Sequence, residues 1–237
     1  MRLRLQWARQ IVRRLPFTLI SLVGLSLVAV LTNSHVGDLP RQWFNRLAFA
    51  PRDLSLIRWP RLITSALVTS GGGAFWQALG MVALTTGTAE WLAGTRRAAL
   101  TFWGVHLTTL LVQSLLIAVP LHTLGSSLGT ALYLARDVGP SAGSFGCLGL
   151  ACARLPKPWR WIGGGLVLAG LVIVFLLAVV TRQDAIVVSA DLAHLLAFPV
   201  GWLSSLIGRR HGAPAGRTSR PQHAARVEPG GKETSQL

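Results

Sequence analysis

The chain has 237 residues, a formal charge of +15 and a mean hydropathy of +0.50, with 51% hydrophobic and only 13% charged residues. A soluble domain carries about 25% charged residues, so this composition excludes both an ordinary soluble domain and a disordered basic protein. Its 23 Lys and Arg are dispersed along loops, which argues against a nucleic-acid partner. The expectation is an all-α integral membrane protein whose first partner is the lipid bilayer.

A membrane helix needs about 20 mainly apolar residues. The first candidate span is 16–32, preceded by arginines at 2, 4, 9, 13 and 14. No A-x-A cleavage site follows it, so it reads as an anchor rather than a signal peptide. Residues 35–64 mix Trp43, Phe44, Phe49 and Trp59 with five arginines, as a segment lying in the interface would. Further spans are read at 73–92, 98–119, 141–153, 161–180 and 187–207. The organisation is therefore a basic N-terminus (1–15), a six-helix membrane domain (16–208) and a Gly-, Pro- and Ser-rich tail (209–237) expected to be disordered.

Six spans place both ends on one side of the membrane. That side collects 16 Lys and Arg against 7 on the other, so the positive-inside rule predicts cytoplasmic termini, with the plasma membrane as the default location.

Candidate chemistry sits in two places. Gly139-Pro140-Ser141-Ala142-Gly143 fits a G-x-S-x-G pattern at the outer start of the fourth span. On its own it is as well explained by close helix packing. His194 is an ionisable residue inside the sixth span, which marks a functional site by default. Ser141 precedes Arg154 by 13 positions and His194 precedes Arg209 by 15. At 1.5 Å per residue these are depths of about 20 and about 22 Å. A hydroxyl and an imidazole at one buried level are the minimum for nucleophilic catalysis. No acidic third member is expected at that depth.

The other motifs read as structure. His106 is expected to be satisfied by a backbone carbonyl. Gly139, Gly143 and Gly146 make a small face, expected to pack on the sixth span through Ala197 and Gly201. Glu90 is expected beside Arg96 or Arg97. Cys147 and Cys152 are packing residues, five positions apart on different helix faces. No cofactor or metal is expected, because the histidines are scattered and the acids few.

Taken in order, these residues resemble the rhomboid family of intramembrane serine proteases over roughly residues 10–210. The likeness lies in the six spans, in Gly139-Pro140-Ser141-Ala142-Gly143-Ser144-Phe145-Gly146, and in Ala193-His194 with Gly201. Arg61-Leu62-Ile63-Thr64-Ser65 and Glu90-Trp91-Leu92-Ala93-Gly94-Thr95-Arg96 are similar to family segments around the second span. The resemblance implies Ser141 as nucleophile and His194 as general base, with transmembrane segments of other proteins as substrates. The family's second-span His and Asn, its oxyanion donors, align with Trp76 and Gly80, to within a slip of one residue. Gln77 is then a substitute donor and the Ser141 backbone N–H another. An inactive rhomboid-like protein that binds membrane helices is the alternative reading, and a small transporter a third.

Overall fold

The computed structural model describes residues 10–206. Residues 1–9 of the predicted basic N-terminus, the last residue of the sixth predicted span and the whole predicted tail lie outside the described residues. Among the described residues the chain is helical, with two isolated antiparallel bridges and no strands.

Helix α1 is Pro16–Leu31. The first loop holds three short helices, α2 (Arg41–Leu47), α3 (Arg52–Ser55) and α4 (Arg61–Thr64), in place of one interfacial segment. The second predicted span is a continuous helix, α5, running through Gly73–Met81, a π-helical turn Val82–Thr86, and Gly87–Ala93. The third is α6, Thr95–Thr123, longer than expected and containing a second π-helical stretch, Gln113–Ala118. A helix with no counterpart in the sequence reading follows, α7 (Ser127–Leu134). Then come α8 (Ser141–Arg154), α9 (Trp159–Val180) and α10 (Ala185–Ser204).

Three of these, α6, α9 and α10, are long and apolar enough to cross a membrane, and α1 is a shorter apolar helix. The six-span count is finer than this and is taken up below.

Helix α8 is the hub. It packs on α10, α6 and α5, and ten of its residues are buried. Glycine makes that possible. A Cβ on Gly143 would press into the Phe102 ring, and one on Gly146 into Val105, both on α6. On the other side Gly149 lies against the backbone of Phe198 and Trp202, and Gly201 against that of Gly146. The expected small face is therefore split between α6 and α10. Gly139 is not on it: that residue sits outside the helix, at φ +130°. Helix α9 is the peripheral member, with 11% of its most apolar stretch buried against 39% for α6 and α10.

Glu90 takes its hydrogen bonds from the start of α1. Its carboxylate is buried at 1% exposure. It accepts hydrogen bonds from Phe17 N (2.9 Å), Thr18 N (2.8 Å) and Thr18 Oγ1 (2.7 Å). Helix α1 starts with Pro16 after Leu15, which has no side-chain acceptor. The orphan N–H groups of the first turn are thus capped by a carboxylate from another helix, where the positive end of the helix dipole favours it. Arg14 lies 4.7 Å from the Trp91 ring centroid and adds a cation–π contact beside this cap.

His106 behaves as expected: Nε2 lies 2.9 Å from the Leu62 carbonyl oxygen. Both cysteines are free and buried.

Candidate active site

The first loop fixes the chain that leads into Ser141. Asp53, fully buried, accepts from Ala50 N (3.0 Å) and from Arg61 Nη1 (2.8 Å), and lies 3.8 Å from Arg58 and Arg136. Arg136 also donates to the carbonyls of Asn45 and Ala48, each at 3.3 Å. Next in sequence, Asp137 and Phe49 exchange both backbone hydrogen bonds, at 2.8 and 3.1 Å. Gly139 N then donates to Ser65 O at 2.8 Å. The φ of +130° at Gly139 suits glycine, and the turn delivers Ser141 to the first position of α8.

Asp137 lies in this connecting segment, outside the spans. Burial raises its pKa from 3.8 to about 6, opposed by a hydrogen bond from the Val138 backbone. A raised folded-state value means the fold favours the protonated carboxyl. That stabilisation is complete below the unfolded value near 4 and is lost as pH rises through about 6. Asp137→Asn is expected to flatten the pH dependence of the unfolding midpoint between pH 4 and about pH 6, read by thermal unfolding in detergent. A variant with the wild-type pH profile would show that this carboxyl is solvated.

Ser141 and His194 are on the two most extensively packed helices of the bundle, α8 and α10. Phe145 is one turn after Ser141 on the same face of α8. Its ring stacks on the His194 imidazole, with centroids 4.3 Å apart and planes at 28°. His194 therefore meets α8 at Phe145, four residues after Ser141. Its Nε2 is buried with no hydrogen-bond partner among the described residues, so it makes no hydrogen bond to Ser141 Oγ. Catalytic hydrogen bonds in ligand-free sites are commonly long and tighten with substrate.

The expectation of no acidic neighbour is corrected. Asp191 Oδ1 lies 3.9 Å from His194 Nδ1, one turn earlier on α10. The two side chains are 16% and 18% exposed, so the pair is largely removed from water. At 3.9 Å the carboxylate is a charged neighbour of Nδ1 and not its hydrogen-bond partner. The i, i+3 spacing was readable in Asp191-Leu192-Ala193-His194, but Asp191 was assigned no role there.

The second-span residues singled out by the resemblance lie on the exposed side of α5. Trp76 is 63% exposed. Gly80 lines a groove against α1 with Leu22, Ser26 and Leu79. Gln77 is exposed as well. These three turn away from the bundle interior. The inward positions on this part of α5 are Phe75 and Ala78, both buried. Ala74, one turn before Ala78, is half-buried. The buried face of this part of α5 is thus apolar.

Ser144, the nearest other serine on α8, is fully buried, and its Oγ has no partner among the described residues. Ser141 is the more accessible of the two. Among the described residues no group of three or more His, Cys, Asp or Glu side chains could hold a metal ion.

Neither a protein-family model, nor a curated protein, nor a solved structure matches the chain.

Proposed function

We propose that the chain is a six-span, rhomboid-like intramembrane serine protease that cleaves transmembrane segments of other proteins, with both termini in the cytoplasm of a plasma-membrane protein. The observation that carries this reading is the Phe145–His194 stack. It seats an imidazole with an unpaired Nε2 on the helix whose first residue is Ser141. The α1, α5 and α8 helices supply the three spans beyond α6, α9 and α10. Helix α8 has only 14 residues, so one of its ends stops short of the membrane surface and leaves space for the water that hydrolysis consumes.

In this mechanism Ser141 Oγ attacks a substrate backbone carbonyl while His194 Nε2 takes the hydroxyl proton. Asp191, 3.9 Å from Nδ1, stabilises the imidazolium that forms through its charge. The oxyanion is met by the Ser141 backbone N–H, at the positive end of the α8 dipole. His194 returns the proton to the departing amine. A water molecule, deprotonated by His194, then releases the acyl group from Ser141.

The second reading is an inactive rhomboid-like protein that binds membrane helices. The exposure of Trp76 and Gly80, which the resemblance aligns with the oxyanion donors, and of Gln77 favours it. A fluorophosphonate probe separates the two. The protease reading expects labelling of the detergent-solubilised protein and its loss in both Ser141→Ala and His194→Ala. A folded wild type that takes no label would favour the binding reading.

A further inference from the structure

A groove of about 330 Å³ runs between α9 and α10 at the end of the bundle where α9 begins. Its volume falls within the roughly 300–1,000 Å³ of small-ligand sites. Trp161, Gly165 and Leu168 form one wall, and Phe198 and Trp202 the other. The lining is apolar, as an acyl chain requires.

The groove is built by glycines. A Cβ on Gly164 would collide with the Trp202 ring, so that glycine seats the indole. A Cβ on Gly165 would meet nothing within 4 Å, so this residue opens onto free space. The Trp161 and Trp202 rings, 5.6 Å apart, stand together at the mouth.

Charge accompanies the apolar slot. Lys157 is exposed just before α9. Arg160 holds its guanidinium 5.8 Å from the Trp161 centroid, and its Nε is buried without a hydrogen-bond partner among the described residues. No Asp or Glu occurs between Asp137 and Asp184, so the approach to this end of α9 carries no acid of its own. Basic side chains at the start of α9, one of them over the Trp161 ring that walls the slot, match one ligand chemistry: an anionic headgroup joined to a hydrocarbon chain.

We propose that this groove is a binding site for an anionic phospholipid, with one acyl chain along Gly165 and the phosphate between Lys157 and Arg160. The site is separate from Ser141 and does not depend on the protease reading. It keeps a membrane-facing glycine surface filled and ties the peripheral α9 to α10.

The test is native mass spectrometry of the full chain, equilibrated in detergent with palmitoyl-oleoyl phosphatidylglycerol or phosphatidylcholine. The wild type is expected to retain one phosphatidylglycerol with a preference over phosphatidylcholine on the order of tenfold. Gly165→Leu fills the slot, and leucine suits a helix interior better than glycine, so the variant folds. It is expected to lose the retained lipid. Lys157→Ala/Arg160→Ala is expected to keep a lipid but lose the headgroup preference. Equal retention of both lipids by the wild type would overturn the proposal, as would a Gly165→Leu variant that binds like the wild type. A dimer abolished by Gly165→Leu, with no lipid retained, would assign the groove to a second copy instead.

Discussion

Glu90→Ala is expected to destabilise the folded protein by about 3–5 kcal/mol, measured by unfolding in mixed detergent micelles. The carboxylate takes three hydrogen bonds from the start of α1, two of them from backbone N–H groups with no other acceptor at that helix end. Truncation strands three donors, of which the two on Thr18 are buried and cost roughly 1–3 kcal/mol each. It also removes the negative charge from the positive end of the α1 dipole. Glu90→Gln keeps one acceptor and is expected to lose about half as much. Arg96→Ala is expected to be nearly silent beside it, within about 0.5 kcal/mol. A Glu90→Ala variant within about 1 kcal/mol of the wild type would mean that the α1 terminus is capped by something else.

The second large effect is a gain. If the chain is a protease lacking side-chain oxyanion donors, restoring one should accelerate acylation. Ala78 is buried on the inward side of α5, whereas Trp76, Gln77 and Gly80 are exposed. Ala78→Asn is therefore expected to raise the fluorophosphonate labelling rate by up to about 10²-fold. Gly80→Asn, which points into the groove beside α1, is expected to leave it unchanged. The contrast between positions two residues apart tests the orientation of α5 as well as the chemistry. Equal rates in both variants would refute the assignment of Ala78 to the oxyanion face.

Much of the helix map was legible because long apolar runs mark helices directly. The reading of 16–32 meets Pro16–Leu31, 141–153 meets Ser141–Arg154, and 161–180 meets Trp159–Val180. Two kinds of feature escaped. Short helices such as Arg41–Leu47 and Ser127–Leu134 have too few turns to show a period, and only the Ser126 cap, accepting from Gly129 N, announced the second. Long-range partners leave no local trace. Glu90 reaches back 72 residues to Thr18, while sequence proximity pointed to Arg96 and Arg97. The facing of α5 is hard to read for a related reason. With Phe75-Trp76-Gln77-Ala78-Leu79-Gly80 there is no polar stripe to set the phase, so a slip of one residue turns the whole face. At the site, the sequence brought out Ser141 and His194, but neither Phe145 as the ring under the imidazole nor Asp191 as its neighbour. Those follow from how α8 and α10 pack, which the glycines permit but do not announce.

The central claim is that Ser141 is a nucleophile activated by His194. The most direct measurement is to locate the fluorophosphonate adduct by peptide mass spectrometry in the wild type, His194→Ala and Asp191→Asn. The account predicts an adduct on Ser141 in the wild type, none in His194→Ala, and slower formation at the same serine in Asp191→Asn. An adduct on Ser144 or another serine, or one on Ser141 that forms equally fast without His194, would contradict it.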